Sequence, residues 1–114
     1  MKFRPKHKYG ARPCAITGIK FPSQLEKNCY ITFLSLKEQK KILFFLRQIP
    51  FDLVGGAKHQ IDFMVFTPSD VLFFEAKGRD LPLGKLKRQQ VEELYNIDIN
   101  VITQPSQIYS YFKE

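Results

Sequence analysis

The chain has no tryptophan, and it has two cysteines, six glycines and seven prolines in 114 residues. Two cysteines, Cys14 and Cys29, cannot form a disulfide-stapled scaffold, and their spacing to each other and to His7 and His59 matches no zinc motif. The expectation is two reduced thiols, with Cys29 buried on a helix. No apolar run approaches the ~20 residues of a membrane span. The first residues, Met1-Lys2-Phe3-Arg4-Pro5-Lys6, lack the apolar core of a signal peptide. A cytoplasmic location, off the membrane, is therefore expected. Acidic residues are also scarce: 11 Asp and Glu stand against 18 Lys and Arg, a net charge of +7.

What is present is apolar and basic. At 44% hydrophobic and 14% aromatic residues, the chain can bury a core, and its 11 phenylalanines are the main filler. The positive charge is uneven. Lys2, Arg4, Lys6, Lys8, Arg12 and Lys20 all precede the first acidic residue, Glu26, and Lys77, Arg79, Lys85, Lys87 and Arg88 form a second group. Such fields attract polyanions, and phosphate contacts supply affinity without sequence choice. A solvated surface kept for solubility is the plainer alternative. Lys6, Lys8, Arg12, Lys20, Arg79, Lys85, Lys87, Arg88 and Gln90 are the candidate nucleic-acid contacts. Phe3 and Tyr9, interleaved with lysines, could stack on unpaired bases or pack locally.

Residues 1–20 read as a basic N-terminal arm, broken by Pro5, Gly10, Pro13 and Gly18, and residues 21–114 as one domain. Ser23 followed by Glu26 is the spacing of a capping box, opening a helix to about residue 39 with Leu25, Cys29, Phe33 and Leu36 on one stripe. A strand is expected near residues 43–49, with Pro50 at a sheet edge or strand end. Gly55-Gly56 is a turn. Strands at 59–66 and 71–76 flank a hairpin loop at Thr67-Pro68-Ser69-Asp70, and 78–84 reads as a loop. A helix over 85–95, a strand over 97–102 and a short helix from Pro105 complete the chain. The fold class is α/β in the broad sense, an α+β domain with a mixed sheet, ordered helix-strand-strand-strand-helix-strand-helix.

The chemistry concentrates in two strands. Val71-Leu72-Phe73-Phe74-Glu75-Ala76-Lys77 sets Glu75 and Lys77 on one face, roughly 7 Å apart, with Phe74 and Ala76 on the other. His59-Gln60-Ile61-Asp62-Phe63-Met64-Val65-Phe66 places Asp62 in a second apolar run, facing away from the layer of Ile61 and Phe63. His59 and Gln60 could touch substrate, although a lone histidine at this place reads more plainly as incidental. Two carboxylates and an ammonium at the ends of paired strands form a seat for a divalent metal and an attacking water. Phosphodiester hydrolysis is the reaction this suits. A surface ion pair between Glu75 and Lys77 is the structural alternative.

Asp62 and the Glu75-Ala76-Lys77 triplet resemble the motifs of the PD-(D/E)XK nuclease superfamily, although Ile61 stands where the motif has proline. Gly18-Ile19-Lys20-Phe21-Pro22-Ser23-Gln24-Leu25-Glu26 is similar to an opening found in small phage-encoded endonucleases related to Holliday-junction resolvases. The resemblance implies a restriction-endonuclease-like core. It makes Asp62, Glu75 and Lys77 the catalytic set, with Glu26 as a further one. It implies Mg²⁺ or Mn²⁺ held by Asp62, Glu75, the backbone carbonyl of Ala76 and Glu26, whose helix-capping role is the rival explanation. Lys77 would orient the water or stabilise developing charge. Gln89 and Gln90 would help to position the phosphate. The substrate implied is DNA, branched or structured. A chain with one Asp62–Glu75–Lys77 set must pair with itself to cut two strands, so a homodimer is expected, with the apolar 43–53 segment as either the self-association patch or ordinary core. Two other classes stay open: a non-catalytic nucleic-acid-binding module, and a DNA-contacting subunit of a larger complex.

Overall fold

Two apolar layers on opposite faces of one sheet dictate the architecture, because Phe73 and Phe74, adjacent on one strand, are both buried and belong to different cores. A strand with both faces buried needs a layer on each side. The computed structural model describes residues 18–113. Helix α1 (Gln24–Glu38) is followed by strand β1 (Phe44–Asp52), a 3-10 turn (Val54–Gly56), β2 (Lys58–Phe66) and β3 (Val71–Ala76). Helix α2 (Pro82–Tyr95), β4 (Ile99–Ile102) and a 3-10 helix (Pro105–Phe112) complete it.

The sheet runs β1-β2-β3-β4. β1, β2 and β3 pair antiparallel, whereas β3 and β4 pair parallel with α2 as the crossover. This is a mixed sheet in an α+β fold. The expected succession of elements is observed, and only the last helix differs in type.

Helix α1 begins where Ser23 Oγ accepts the Glu26 N–H at 3.1 Å. Its inward stripe, Cys29, Phe33 and Leu36, packs with Phe63, Val65, Phe74, Ile102 and Ile108. The Phe33 ring lies 4.9 Å from Phe63 and 5.3 Å from Phe74, centroid to centroid. Each fully buried phenylalanine contributes about 2–3 kcal/mol through area alone. The other face joins Leu53, Ile61, Phe73, Val91 and Ile99 under α2.

Three boundaries depart from the expectation. β1 continues through Pro50 to Asp52, which an edge strand tolerates because the missing donor faces no neighbour. α2 starts at Pro82, inside the expected loop, because proline at the first helical position lacks only a donor that would be orphaned anyway. β4 starts at Ile99, and Asn96, left-handed at φ 56°, ends α2 just before it. Gly55 and Gly56 both have φ 82°, which fits glycine at the turn between β1 and β2.

Candidate active site

The site lies where β2 and β3 part. Their ladder runs from Phe66↔Val71 to Phe63↔Phe74 and stops, so Asp62 and Glu75 are the first opposed residues past its end. Asp62 Oδ2 accepts the Ala76 N–H at 2.9 Å, a side chain taking the amide that the sister strand no longer satisfies. On its other side β3 stays anchored: Glu75 and Ala76 pair with Val101 and Ile102, and Lys77 N donates to Ile102 O at 3.0 Å. The parting also breaks the side-chain alternation in β2. Ile61 belongs to the α2-side core and Phe63 to the α1-side core, so the two do not form one layer with Asp62 turned away from it. Asp62 sits at the change of face.

Glu26 reaches this place from α1. Only half of a capping box is present: Ser23 caps the helix, while the Glu26 carboxylate turns inward and is 3% exposed. Its Oε2 accepts from Arg47 Nη2 at 3.1 Å and from Gln48 Nε2 at 2.7 Å. The same Gln48 amide lies 3.3 Å from Asp62 Oδ1. Arg47 is held in turn by Phe21, whose ring centre is 4.5 Å from the guanidinium carbon. Burial raises the Glu26 pKa above the usual carboxylate range, and the nearby Asp62 adds to it against the opposing bonds from Arg47 and Gln48. Burial, together with the nearby Asp62 and Glu26 carboxylates, pushes the Cys29 thiol up to about 12, so this free cysteine stays protonated.

Glu75 is fully buried. Its Oε2 is 2.5 Å from His59 Nε2, and its Oε1, 3.7 Å from Arg88 Nη1, has no hydrogen-bond partner among the described residues. Burial raises its pKa, His59 and Lys77 oppose that, and Asp62 reinforces it. As the strand period requires, Phe74 and Ala76 pack on the α1 side while Glu75 meets Arg88 of α2.

Arg88 corrects an expectation. It is 6% exposed and donates twice to Asp80, at 3.0 and 2.7 Å, so its guanidinium is turned into the protein and away from solvent. The Arg88 bonds hold the Asp80 carboxyl below its usual pKa. Lys77, Arg79 and Lys87 line a groove of about 290 Å³ with Asp80, Leu81, Leu83 and Gly84, at the mouth of α2. Lys20 and Lys85 are exposed. Gln90 is placed apart from them, in a groove of about 360 Å³ with Leu53, Val54, Glu93 and Leu94. Lys6, Lys8, Arg12, Phe3 and Tyr9 lie outside the described residues.

Glu26 and Asp62 are thus linked through Gln48, and Asp62 takes the Ala76 amide, whereas Glu75 turns to the α2 side with His59 and Arg88. Arg47 and Gln48 join Glu26 without any signal in the sequence, and His59, incidental by sequence alone, is bonded directly to Glu75. Among the described residues no group of three or more His, Cys, Asp or Glu side chains could hold a metal ion. Mg²⁺ commonly takes one or two carboxylates and keeps several waters, so hard oxygen donors such as Asp62 and Glu75 suit it in kind. Glu75 Oε1, buried and without a hydrogen-bond partner among the described residues, faces the Arg88 guanidinium at 3.7 Å. No protein-family model matches this chain, and no curated protein or solved structure matches it.

Proposed function

We propose that this chain is a metal-dependent endodeoxyribonuclease with a restriction-endonuclease-like core. The observation that carries this reading is the burial of Asp62 and Glu75 where β2 and β3 part, with buried Glu26 linked to Asp62 through Gln48, beside a groove lined by Lys77, Arg79 and Lys87. Carboxylates repel a phosphate backbone, and burying them is costly. A surface that only bound DNA would have no use for them there.

In this reading Asp62 and Glu75 would hold Mg²⁺ or Mn²⁺, with the Ala76 carbonyl in support, and Glu26 would have to leave Arg47 and Gln48 to join them. When bound, the metal lowers the pKa of a water and neutralises phosphate charge. Lys77, fixed through its backbone to β4, orients the water or meets charge developing on the phosphate. Arg79, Lys85 and Lys87 contact backbone phosphates. Arg88 acts inside the fold, holding Asp80 and facing Glu75. The sequence resemblance to junction-resolving endonucleases makes branched DNA the first substrate to try, and two coordinated cuts require two sites. Leu43, Phe44 and Leu46, exposed on or beside edge strand β1, are the narrowed candidate for the patch that brings two copies together.

A second reading is favoured by the partners the acids already have. Arg47, Gln48, His59 and the Ala76 N–H satisfy much of their bonding capacity, as a non-catalytic nucleic-acid-binding module would require. Incubation with four-way, flap, single-stranded and linear duplex DNA, in Mg²⁺, Mn²⁺ or EDTA, separates the two. Cleavage that requires a cation supports the nuclease, and binding without cleavage under every condition supports the module.

A further inference from the structure

Helix α2 opens on residues that serve helix formation poorly. Leu81 is its N-cap and makes no side-chain cap hydrogen bond, although serine, threonine, asparagine or aspartate there would satisfy an orphaned N–H. Gly84 stands in the first turn, where glycine weakens a helix, and a Cβ there would meet nothing within 4 Å, so packing does not require it. Leu81 and Leu83 are 56% and 64% exposed, and neither packs against either core. Departures from local preference gather where function opposes stability. All three residues line the groove of about 290 Å³ at the mouth of α2.

That groove is mainly apolar, walled by Leu81 and Leu83 and left unfilled at Gly84. Its rim is cationic. Lys77, Arg79 and Lys87 line it, and among the described residues none of them forms an ion pair with a carboxylate. Asp80, also in the lining, is already held by two bonds from Arg88.

An apolar hollow rimmed by unpaired cations calls for a ligand with both characters. Phosphate alone matches the rim and leaves the leucines wet. Intact duplex DNA offers phosphates but keeps the faces of its bases stacked. A nucleotide whose base has left the stack offers a flat apolar ring to the leucines and a phosphate on either side to the cations. A lipid surface would meet leucines on a convex face, and these line a concavity.

We propose that this groove holds one unstacked nucleobase between Leu81 and Leu83, with the adjoining phosphates on Arg79 and Lys87. Resting on the DNA-binding part of the reading above, the groove narrows the substrate class to DNA with unpaired bases at the branch, such as a flap. The cations attract any DNA, and the leucines choose among shapes.

The test uses the full-length protein in EDTA, where cleavage plays no part. It compares wild type with the Leu81→Ser, Leu83→Ser and the Leu81→Met, Leu83→Met double variants. Serine is a better N-cap than leucine, so the first variant should keep α2 folded, which circular dichroism checks. Methionine retains the apolar wall. Fluorescence anisotropy gives affinities for a flap, a single strand and a blunt duplex at one salt concentration. A fluorescent adenine analogue at the unpaired position of the flap reports unstacking by brighter emission. Wild type and the methionine variant should prefer flap and single strand to duplex, and should brighten the probe. The serine variant should bind flap and single strand roughly tenfold more weakly, the scale of packing on one base, and duplex within about twofold of wild type. It should leave the probe dim. A serine variant that binds all three DNAs as wild type does, or that weakens on duplex by the same factor, overturns the proposal and leaves the nuclease reading intact. Leucine-dependent binding to phosphatidylglycerol vesicles, with DNA affinities unmoved, overturns it in favour of a lipid-facing surface. If wild type binds none of these DNAs, the DNA-binding reading fails and the groove's role fails with it.

Discussion

His59 Nε2 lies 2.5 Å from Oε2 of Glu75, a carboxylate with no exposed surface, and the other oxygen of that carboxylate has no hydrogen-bond partner among the described residues. Removing one partner of a buried charged group leaves the other unsatisfied, at a cost of about 1–3 kcal/mol or somewhat more. His59→Ala should therefore lower stability by about 2–3 kcal/mol in urea denaturation at neutral pH. His59→Gln, whose amide can still donate, should recover part of the loss. A His59→Ala variant as stable as wild type would mean that Glu75 needs no partner from β2.

The carboxylates also set the response to pH. Glu26 and Glu75 have raised pKa values in the folded protein, mainly through burial. A raised carboxylate pKa contributes stability that is present below the unfolded value and lost as pH rises through the folded one. Glu26→Gln, fixed in the neutral form, lacks that loss. The melting temperature of Glu26→Gln minus that of wild type, without divalent cations, should become more positive from about pH 4 to about pH 7. A difference that shrinks over that range would show that Glu26 is stabilised as the anion.

Binding to DNA should be governed by Arg79, Lys85 and Lys87. The Arg79→Ala, Lys85→Ala, Lys87→Ala triple variant should weaken duplex and branched DNA by similar factors. It should also reduce the slope of log affinity against log salt by about 0.9 for each phosphate that is no longer neutralised. Fluorescence anisotropy across a salt series measures both. An unchanged slope would place the DNA elsewhere on the molecule.

Self-association is expected through β1. Leu46 is 46% exposed on this edge strand, near exposed Leu43 and Phe44. Light scattering at micromolar concentration should give a dimer for wild type and a monomer for Leu46→Glu. A monomeric wild type, with and without junction DNA, would leave a single-strand nickase.

How much of this can be read from the sequence differs from residue to residue. The Ser23 cap and the Cys29, Phe33 and Leu36 stripe carry enough signal to place α1, and the apolar run 71–76 places β3, because local pattern and tertiary role agree there. Arg88 reads from sequence as an outward cation, since helix charges usually are. Its position three residues before buried Val91, on the inward stripe of α2, is the available clue. Gln48 carries no clue. Its importance arises from the register that sets it opposite Asp62 and from a left-handed backbone that no local pattern specifies. Asp62 and Glu75 stand out in the sequence because carboxylates inside apolar strands are conspicuous. That β2 and β3 part between them, and that Asp62 takes the Ala76 amide, belongs to the pairing and cannot be read from either strand alone.

The central claim is that Asp62, Glu75 and Lys77 carry out cation-dependent strand cleavage, and the direct measurement is single-turnover cutting of a labelled four-way junction in Mg²⁺. Wild type should cut, and EDTA should abolish cutting. Asp62→Asn, Glu75→Gln and Lys77→Met, each confirmed folded by circular dichroism, should each lose roughly 10²–10⁴-fold in rate, the range for removing a group that acts on charge or protons in the transition state. Junction affinity should hold steady or rise in the two carboxylate variants, which repel phosphate less. Full Mg²⁺-dependent activity in Asp62→Asn or Glu75→Gln, or no cutting of any DNA by wild type in Mg²⁺ or Mn²⁺, would contradict the account.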